Sequence, residues 1–117
     1  MTEIDDLMQK IRKFADDRKW DQYHSPKNLS MALIAECAEL VEHFQWMTEE
    51  QSSNVPAETL EAVSHELADV FVYLLRLSDK LGIDLIEATN SKMALNEKKY
   101  PADKVRGSSK KYTEYKD

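Results

Sequence analysis

The fold is decided by one stretch of the chain, AECAELVEHFQW at residues 35–46. Its apolar side chains recur every three or four residues, which predicts an amphipathic helix packed against a core. Two acids, Glu36 and Glu39, fall on the face that should be apolar. Burial of two carboxylates costs several kcal/mol unless a partner offsets their charge. The stretch therefore predicts a core helix that also carries a binding site for a positively charged group.

A second helix repeats this arrangement, in HELADVFVYLL at residues 65–75. Glu66 and Asp69 are three residues apart and interrupt an apolar stripe. Four carboxylates on the inner faces of two packed helices repel one another, and a bound cation is the simplest remedy. Oxygen ligands alone favour Mg²⁺ or Mn²⁺. The alternative, in which the acids lie at the edge of a bundle and pair with lysine or arginine, stays open.

The composition predicts a single all-α domain over residues 1–117. Only 2 glycines and 3 prolines interrupt the chain, which suits long helices. Capping and helix-breaking residues predict four helices, at residues 2–19, 26–47, 57–81 and 84–100. The polar connector between the second and third helices has room for one extra turn. Gly82 is the expected end of the third helix and Asp84 the expected cap of the fourth. The remainder, residues 101–117, is expected to be a basic and flexible tail.

The charge distribution limits the kinds of partner. The net charge is −6, but residues 1–91 carry −10 and residues 92–117 carry +4. An acidic body does not favour nucleic-acid backbones. No apolar run approaches the roughly 20 residues that span a membrane. The N-terminus lacks the pattern of a secretory signal, and the lone Cys37 suggests a reducing compartment. A cytoplasmic protein that binds a phosphorylated small molecule fits these features.

Two further groups of residues suit a nucleotide. Lys92, Asn96 and Lys99 are spaced to share one face of the fourth helix, where they can bind phosphate oxygens. Trp20 and His24 lie in the loop before the second helix, and loop aromatics either pack as a hinge or stack on a base. Di-iron bundles use Glu-x-x-His pairs on facing helices, and this sequence has none. The residues thus favour Mg²⁺ and phosphate chemistry over iron oxidation.

With these motifs identified, the chain resembles the MazG-like, all-α nucleotide pyrophosphohydrolases. That family carries E-x-x-E on one helix and E-x-x-D on the next, which are here Glu36, Glu39, Glu66 and Asp69. Further segments resemble the dCTP pyrophosphatase-like branch: WDQYHSPKNL at 20–29, ELVEHFQW at 39–46, and SKMALNEKKYP at 91–101 followed by VRG. The resemblance covers about residues 4–112.

The resemblance implies both an architecture and an activity. The fold is then a four-helix bundle-like MazG fold, assembled as a tight dimer or a dimer of dimers. The implied reaction is Mg²⁺-dependent cleavage of a (deoxy)nucleoside triphosphate between the α and β phosphates, giving the monophosphate and pyrophosphate. The favoured substrate is dCTP, and the role is to cleanse the nucleotide pool.

The resemblance also implies roles for individual residues. Glu36, Glu39, Glu66 and Asp69 are the expected metal ligands. Glu36 or Glu39 is the expected catalytic residue that orients or deprotonates the attacking water. The expected phosphate contacts are Lys92, Asn96, Lys99, Tyr100 and Arg106. The expected contacts to base and sugar are Trp20, His24, Trp46 and Tyr73. For Trp46 and Tyr73, core packing at helical spacing is the alternative.

Two other classes of protein remain open at this point. A non-catalytic helical interaction module would use its acids only to solvate a cleft. A carboxylate-bridged metal-binding bundle would bind iron.

Overall fold

The computed structural model describes residues 2–107, which form helices and short turns with no strand among them. The elements are α1 (Glu3–Asp17), a 3₁₀ turn (Asp21–Tyr23), α2 (Pro26–Glu42), α3 (Glu49–Ser52), α4 (Ala57–Leu81), α5 (Leu85–Lys99) and α6 (Ala102–Val105). The all-α prediction is confirmed. Within this part of the chain, no helix combines the length and apolarity that crossing a membrane requires. Residues 108–117, which hold most of the predicted tail, lie outside the described residues.

The start of α1 is fixed by a reciprocal cap. The Thr2 hydroxyl accepts a hydrogen bond from the backbone N–H of Asp5 at 3.1 Å, and the Asp5 carboxylate accepts one from the backbone N–H of Thr2 at 3.3 Å. The helix ends at Asp17, two residues before its predicted end. Lys19 has a left-handed backbone with φ of 56°, which a right-handed helix does not accommodate. The chain therefore leaves the helix before it reaches Trp20.

The stretch that holds the first pair of acids lies on α2. Ser25 caps this helix and Pro26 occupies its first position, where a missing N–H costs nothing. The predicted end near Met47 is wrong, because α2 ends at Glu42 and continues only as hydrogen-bonded turns. The N–H of His43 donates to the carbonyl three residues earlier at 3.3 Å, so the last turn tightens. The connector that follows holds the expected extra turn, α3.

The central element of the first unit is α4. Its bounds agree with the predicted helix at 57–81, and it ends as predicted at Gly82, whose φ of 67° is left-handed. Both α2 and α1 pack along this helix. The buried apolar residues at these contacts are Ala15, Leu29, Val63 and Leu75. This is a small core for a chain of this length, and several large apolar side chains stay exposed.

The chain divides into two compact units, one up to Ile83 and one from Asp84 onward. In the second unit, the Asp84 carboxylate accepts a hydrogen bond from the backbone N–H of Glu87 at 3.0 Å and caps α5. That helix ends at Lys99, just before Pro101, close to the predicted end. The single domain over the whole chain stays a prediction.

Candidate active site

Three of the four predicted metal ligands converge between α2 and α4. Glu36 and Glu39 come from α2, and Glu66 comes from α4. One carboxylate oxygen from each lies within 4.8 Å of the other two. Oxygens on opposite sides of a Mg²⁺ ion are about 4.2 Å apart, twice the usual bond length. Small side-chain rotations would therefore bring all three onto one ion.

Two buried oxygens of this cluster lack a hydrogen-bond donor. Oε2 of Glu36 and Oε2 of Glu66 accept no hydrogen bond from any residue in the described range. Burial, together with the neighbouring carboxylate of Glu39, raises the pKa of Glu36 from 4.5 to about 7. A buried polar group without a partner costs about 1–3 kcal/mol, and more when it is charged. The donor set thus fits a hard divalent cation, which would remove this cost.

Asp69, the fourth predicted ligand, lies beside this cluster but is not one of the three that converge. Its charge contributes to the raised pKa of Glu36, after burial and the charge of Glu39. It also contributes to the raised pKa of Tyr73, where burial and the charge of Glu36 are the larger causes. Tyr73 is therefore a neutral hydroxyl at physiological pH, next to the acids.

A cavity of about 390 Å³ begins at these acids and lies within the first unit. Its volume falls in the range of small-molecule sites. Glu36, Asp69 and Tyr73 line one part of it. The other lining residues are Leu7, Lys10, Ile11, Phe14, Ala15, Trp20, His24, Val72 and Arg76. The cavity therefore joins the carboxylates to an aromatic wall.

The aromatic wall is formed by α1 and the loop that follows it. The rings of Phe14 and Trp20 meet edge to face, with centroids 5.7 Å apart. Trp20 also lies 6.5 Å from the ring of His24, centroid to centroid. The structure thus brings together three of the four residues predicted for base and sugar: Trp20, His24 and Tyr73.

The fourth, Trp46, does not line this cavity. It lies in the turns after α2 and is 89% exposed. Its role at a base stays a prediction. The predicted phosphate residues belong to the second unit, where Lys92, Asn96 and Lys99 lie on α5 or at its end, and Tyr100 and Arg106 follow. Their roles likewise stay predictions.

Sequence reasoning missed two residues of this region. Arg76 is 5% exposed and lines the cavity, where it binds Asp21 and His24. His43 lies with its Nε2 3.7 Å from a carboxylate oxygen of Glu66, beside the acidic cluster. The partners of Arg76 in the loop are more than fifty positions away, so helical spacing could not have indicated them.

Comparisons with known proteins show to which family this all-α chain is related. A model of the MazG-like family matches residues 32–115. Human dCTP pyrophosphatase 1 is 41% identical over 114 residues, and the mouse protein of that name is 40% identical over 113 residues. Each match covers 95% of this chain and 66% of the relative, just under two thirds of its length.

A solved structure shows the same fold. The crystal structure of a pyrophosphatase from Archaeoglobus fulgidus DSM 4304 is similar with a TM-score of 0.77 and 42% sequence identity. The match covers 86% of this chain and 94% of that one. Since the family model extends over most of the chain, the protein belongs to the MazG-like family. The resemblance inferred from the sequence is confirmed.

Proposed function

We propose that the protein hydrolyses nucleoside triphosphates to the monophosphate and pyrophosphate. The observation that carries this proposal is the convergence of Glu36, Glu39 and Glu66, one of which, Glu36, also lines the cavity of about 390 Å³. The unpartnered oxygens of Glu36 and Glu66 support a cation at that end. The pyrophosphatases among the relatives support the reaction class.

The metal is Mg²⁺, with Mn²⁺ as a substitute, held by Glu36, Glu39 and Glu66 with Asp69 beside them. When bound, it neutralises phosphate charge and lowers the pKa of a coordinated water. Glu36 or Glu39 accepts a proton from the water that attacks the α-phosphorus. The bond between the α-phosphorus and the bridging oxygen breaks, and pyrophosphate leaves.

The rest of the substrate is held by the remaining predicted residues. Trp20 and Tyr73 enclose the base and sugar in the cavity, with Trp46 as a further contact. The phosphate contacts are Lys92, Asn96, Lys99, Tyr100 and Arg106. Deoxycytidine triphosphate is the favoured substrate, because the curated relatives are named for it. Removal of surplus or damaged nucleotides is the proposed role.

The working form is a homo-oligomer, a dimer or a dimer of dimers. The outward face of α2 carries Met31, Ile34 and Val41, which are 58%, 70% and 56% exposed. These residues recur at helical spacing, so α2 is apolar on two faces. Leu60 and Leu67 of α4 are also more than half exposed. With so small a core in the chain itself, a second copy is the occupant we propose for these faces.

The test of the reaction is pyrophosphate release from the common ribo- and deoxynucleoside triphosphates, with and without Mg²⁺. We expect metal-dependent release with dCTP ahead. Glu39→Gln should lower kcat by at least about 100-fold, because loss of even an indirect metal contact costs 10–100-fold. Glu42→Gln, at an exposed position of the same helix, is the matched control and should retain activity.

The other classes of protein correspond to other outcomes of this experiment. Folded protein that releases no pyrophosphate, with a melting temperature indifferent to Mg²⁺ and nucleotide, would favour the interaction module. Iron bound after purification would favour the carboxylate-bridged metal bundle. Release spread evenly over the bases would retain the reaction and reject dCTP as the preferred substrate.

A further inference from the structure

Arg76 is a buried cation in the wall of the cavity, and none of the roles above uses it. It is 5% exposed, whereas arginine is seldom buried without a partner. Its guanidinium donates to an Asp21 carboxylate oxygen at 2.7 Å, and a second carboxylate, Asp79, lies 3.6 Å away. These carboxylates balance its charge. One more contact, to His24, is not needed for charge balance and points to a separate role.

That contact determines which imidazole nitrogen carries the proton. Nε of Arg76 lies 3.1 Å from Nδ1 of His24. Arginine is always protonated in proteins, so its Nε only donates. Nδ1 must therefore accept, which it can do only without a proton. The ring is then neutral and its proton is on Nε2, which has no hydrogen-bond partner among the described residues.

We propose that Arg76 is a positioning residue that holds His24 in the neutral Nε2–H form, so that the cavity offers one fixed hydrogen-bond donor to an acceptor atom on the nucleotide base. This inference rests on the proposed function for the identity of the ligand. The state of His24 itself does not depend on that function.

The surrounding charges favour the same state of His24. Burial and the positive charges of Arg76 and Lys80 lower the pKa of His24, and the charge of Asp21 opposes them. Lys80 pairs with the same Asp21 oxygen as Arg76 does, so that carboxylate is already shared by two cations. It therefore does not stabilise a protonated imidazole strongly.

The position of the donor indicates which part of the ligand it contacts. Asp69 and Arg76 are seven residues apart on α4, about 10 Å along the helix axis. In the proposed function the acids would hold the cation, which would bind the reacting phosphate, so the remote end with Trp20 and His24 receives the base. Cytosine offers acceptors there, at its carbonyl oxygen O2 and at N3. A base edge that presents only donors would leave the Nε2–H unpaired.

The direct test is ¹⁵N NMR of the histidine ring nitrogens, with the His24 signals assigned by their loss in His24→Gln. We expect an unprotonated Nδ1 and a protonated Nε2 at neutral pH. Arg76→Met should give a mixture of the two neutral forms. The matched control is Lys80→Met, which removes the other cation on Asp21 but not the Arg76 contact, and should leave the proton of His24 on Nε2. A protonated Nδ1 in the unaltered protein would overturn the proposal, and so would an Arg76→Met spectrum identical to it.

Whether Nδ1 of His24 carries a proton can be measured in the unaltered protein alone, so the proposal stays testable if Arg76→Met does not fold. The second readout is kinetic. One neutral hydrogen bond is worth about 0.5–1.5 kcal/mol, so His24→Phe, which removes the donor, should raise KM for dCTP about 3- to 10-fold with little change in kcat. Arg76→Met should raise KM less, because part of its population keeps the Nε2–H form. An unchanged KM in His24→Phe would reject the contact to the base. If no nucleotide is hydrolysed, the proposed function fails, yet the NMR result on His24 still stands.

Discussion

At the scale of single residues, Glu36 has the clearest consequence. Its pKa is raised from 4.5 to about 7, so the folded protein binds a proton there more tightly than the unfolded chain does. Stability from this proton is fully present below about pH 4.5 and is lost as the pH rises through about 7. The metal-free protein therefore becomes less stable over that window on account of Glu36.

Glu36→Gln, which stays neutral at every pH, should remove this dependence. In the presence of EDTA, we expect the melting temperature of the unaltered protein to fall relative to that of Glu36→Gln between pH 5 and pH 8. Mg²⁺ should reverse the trend only in the unaltered protein, since the variant lacks a ligand. Glu42→Gln is the control. If the difference in melting temperature between the unaltered protein and Glu36→Gln did not change with pH, the burial of Glu36 would be contradicted.

The sequence predicted the acids and missed their neighbours for a physical reason. Glu36 and Glu39 were recognisable because a carboxylate on an apolar stripe is anomalous within one helix. Arg76 and His43 show no such anomaly in their own segments of the sequence. What marks each of them is a partner on another element, His24 for Arg76 and Glu66 for His43. Such pairs depend on how elements pack, and a pattern within one helix carries no information on that.

At the scale of elements, α1 is fastened to α4 by an ion pair. Nε of Arg12 donates to an Asp79 oxygen at 2.7 Å, and its other arm binds the second oxygen. This hydrogen bond is the main reason that the pKa of Asp79 lies below its usual 3.8. The stability that it provides is therefore present above pH 3.8 and is lost as the pH falls through the lower, folded-state pKa.

Arg12→Met should lower the free energy of unfolding at pH 7, because it removes both hydrogen bonds that Arg12 donates to the Asp79 carboxylate. The effect should shrink below pH 3.8. Urea denaturation at both pH values measures it. The matched control is Lys13→Met, which breaks an exposed pair with Asp17 inside α1 and should change the stability less. Equal losses from the two variants would show that the link between helices adds nothing.

The helix limits show what local signals can determine. The bounds of α4 followed from Pro56 and Gly82, two residues whose backbone preferences are strong. The end of α2 could not be predicted from such residues, because the turns after Glu42 keep much of the apolar spacing of the helix. Periodicity alone cannot distinguish a helix from successive turns of similar pitch.

At the scale of the whole molecule, the exposed apolar face of α2 predicts self-association. Ile34→Lys should shift the mass measured by light scattering towards the monomer, because a lysine in an apolar interface is costly. Asp16→Lys, at an exposed position of α1, is the control and should leave the mass unchanged. A protein that is monomeric at all concentrations before any substitution would reject the oligomer. The sequence could not locate this face, because inward and outward apolar residues look alike until the core is known.

The arrangement of α4 has an evolutionary consequence. Glu66, Asp69, Tyr73 and Arg76 lie on successive turns of one unbroken helix, so a single element sets the spacing between these acids and the arginine that positions His24. An insertion of one residue between Asp69 and Tyr73 would rotate everything beyond it by about 100° and separate the two ends. Point substitutions can accumulate along this helix, whereas insertions and deletions within it should be eliminated by selection.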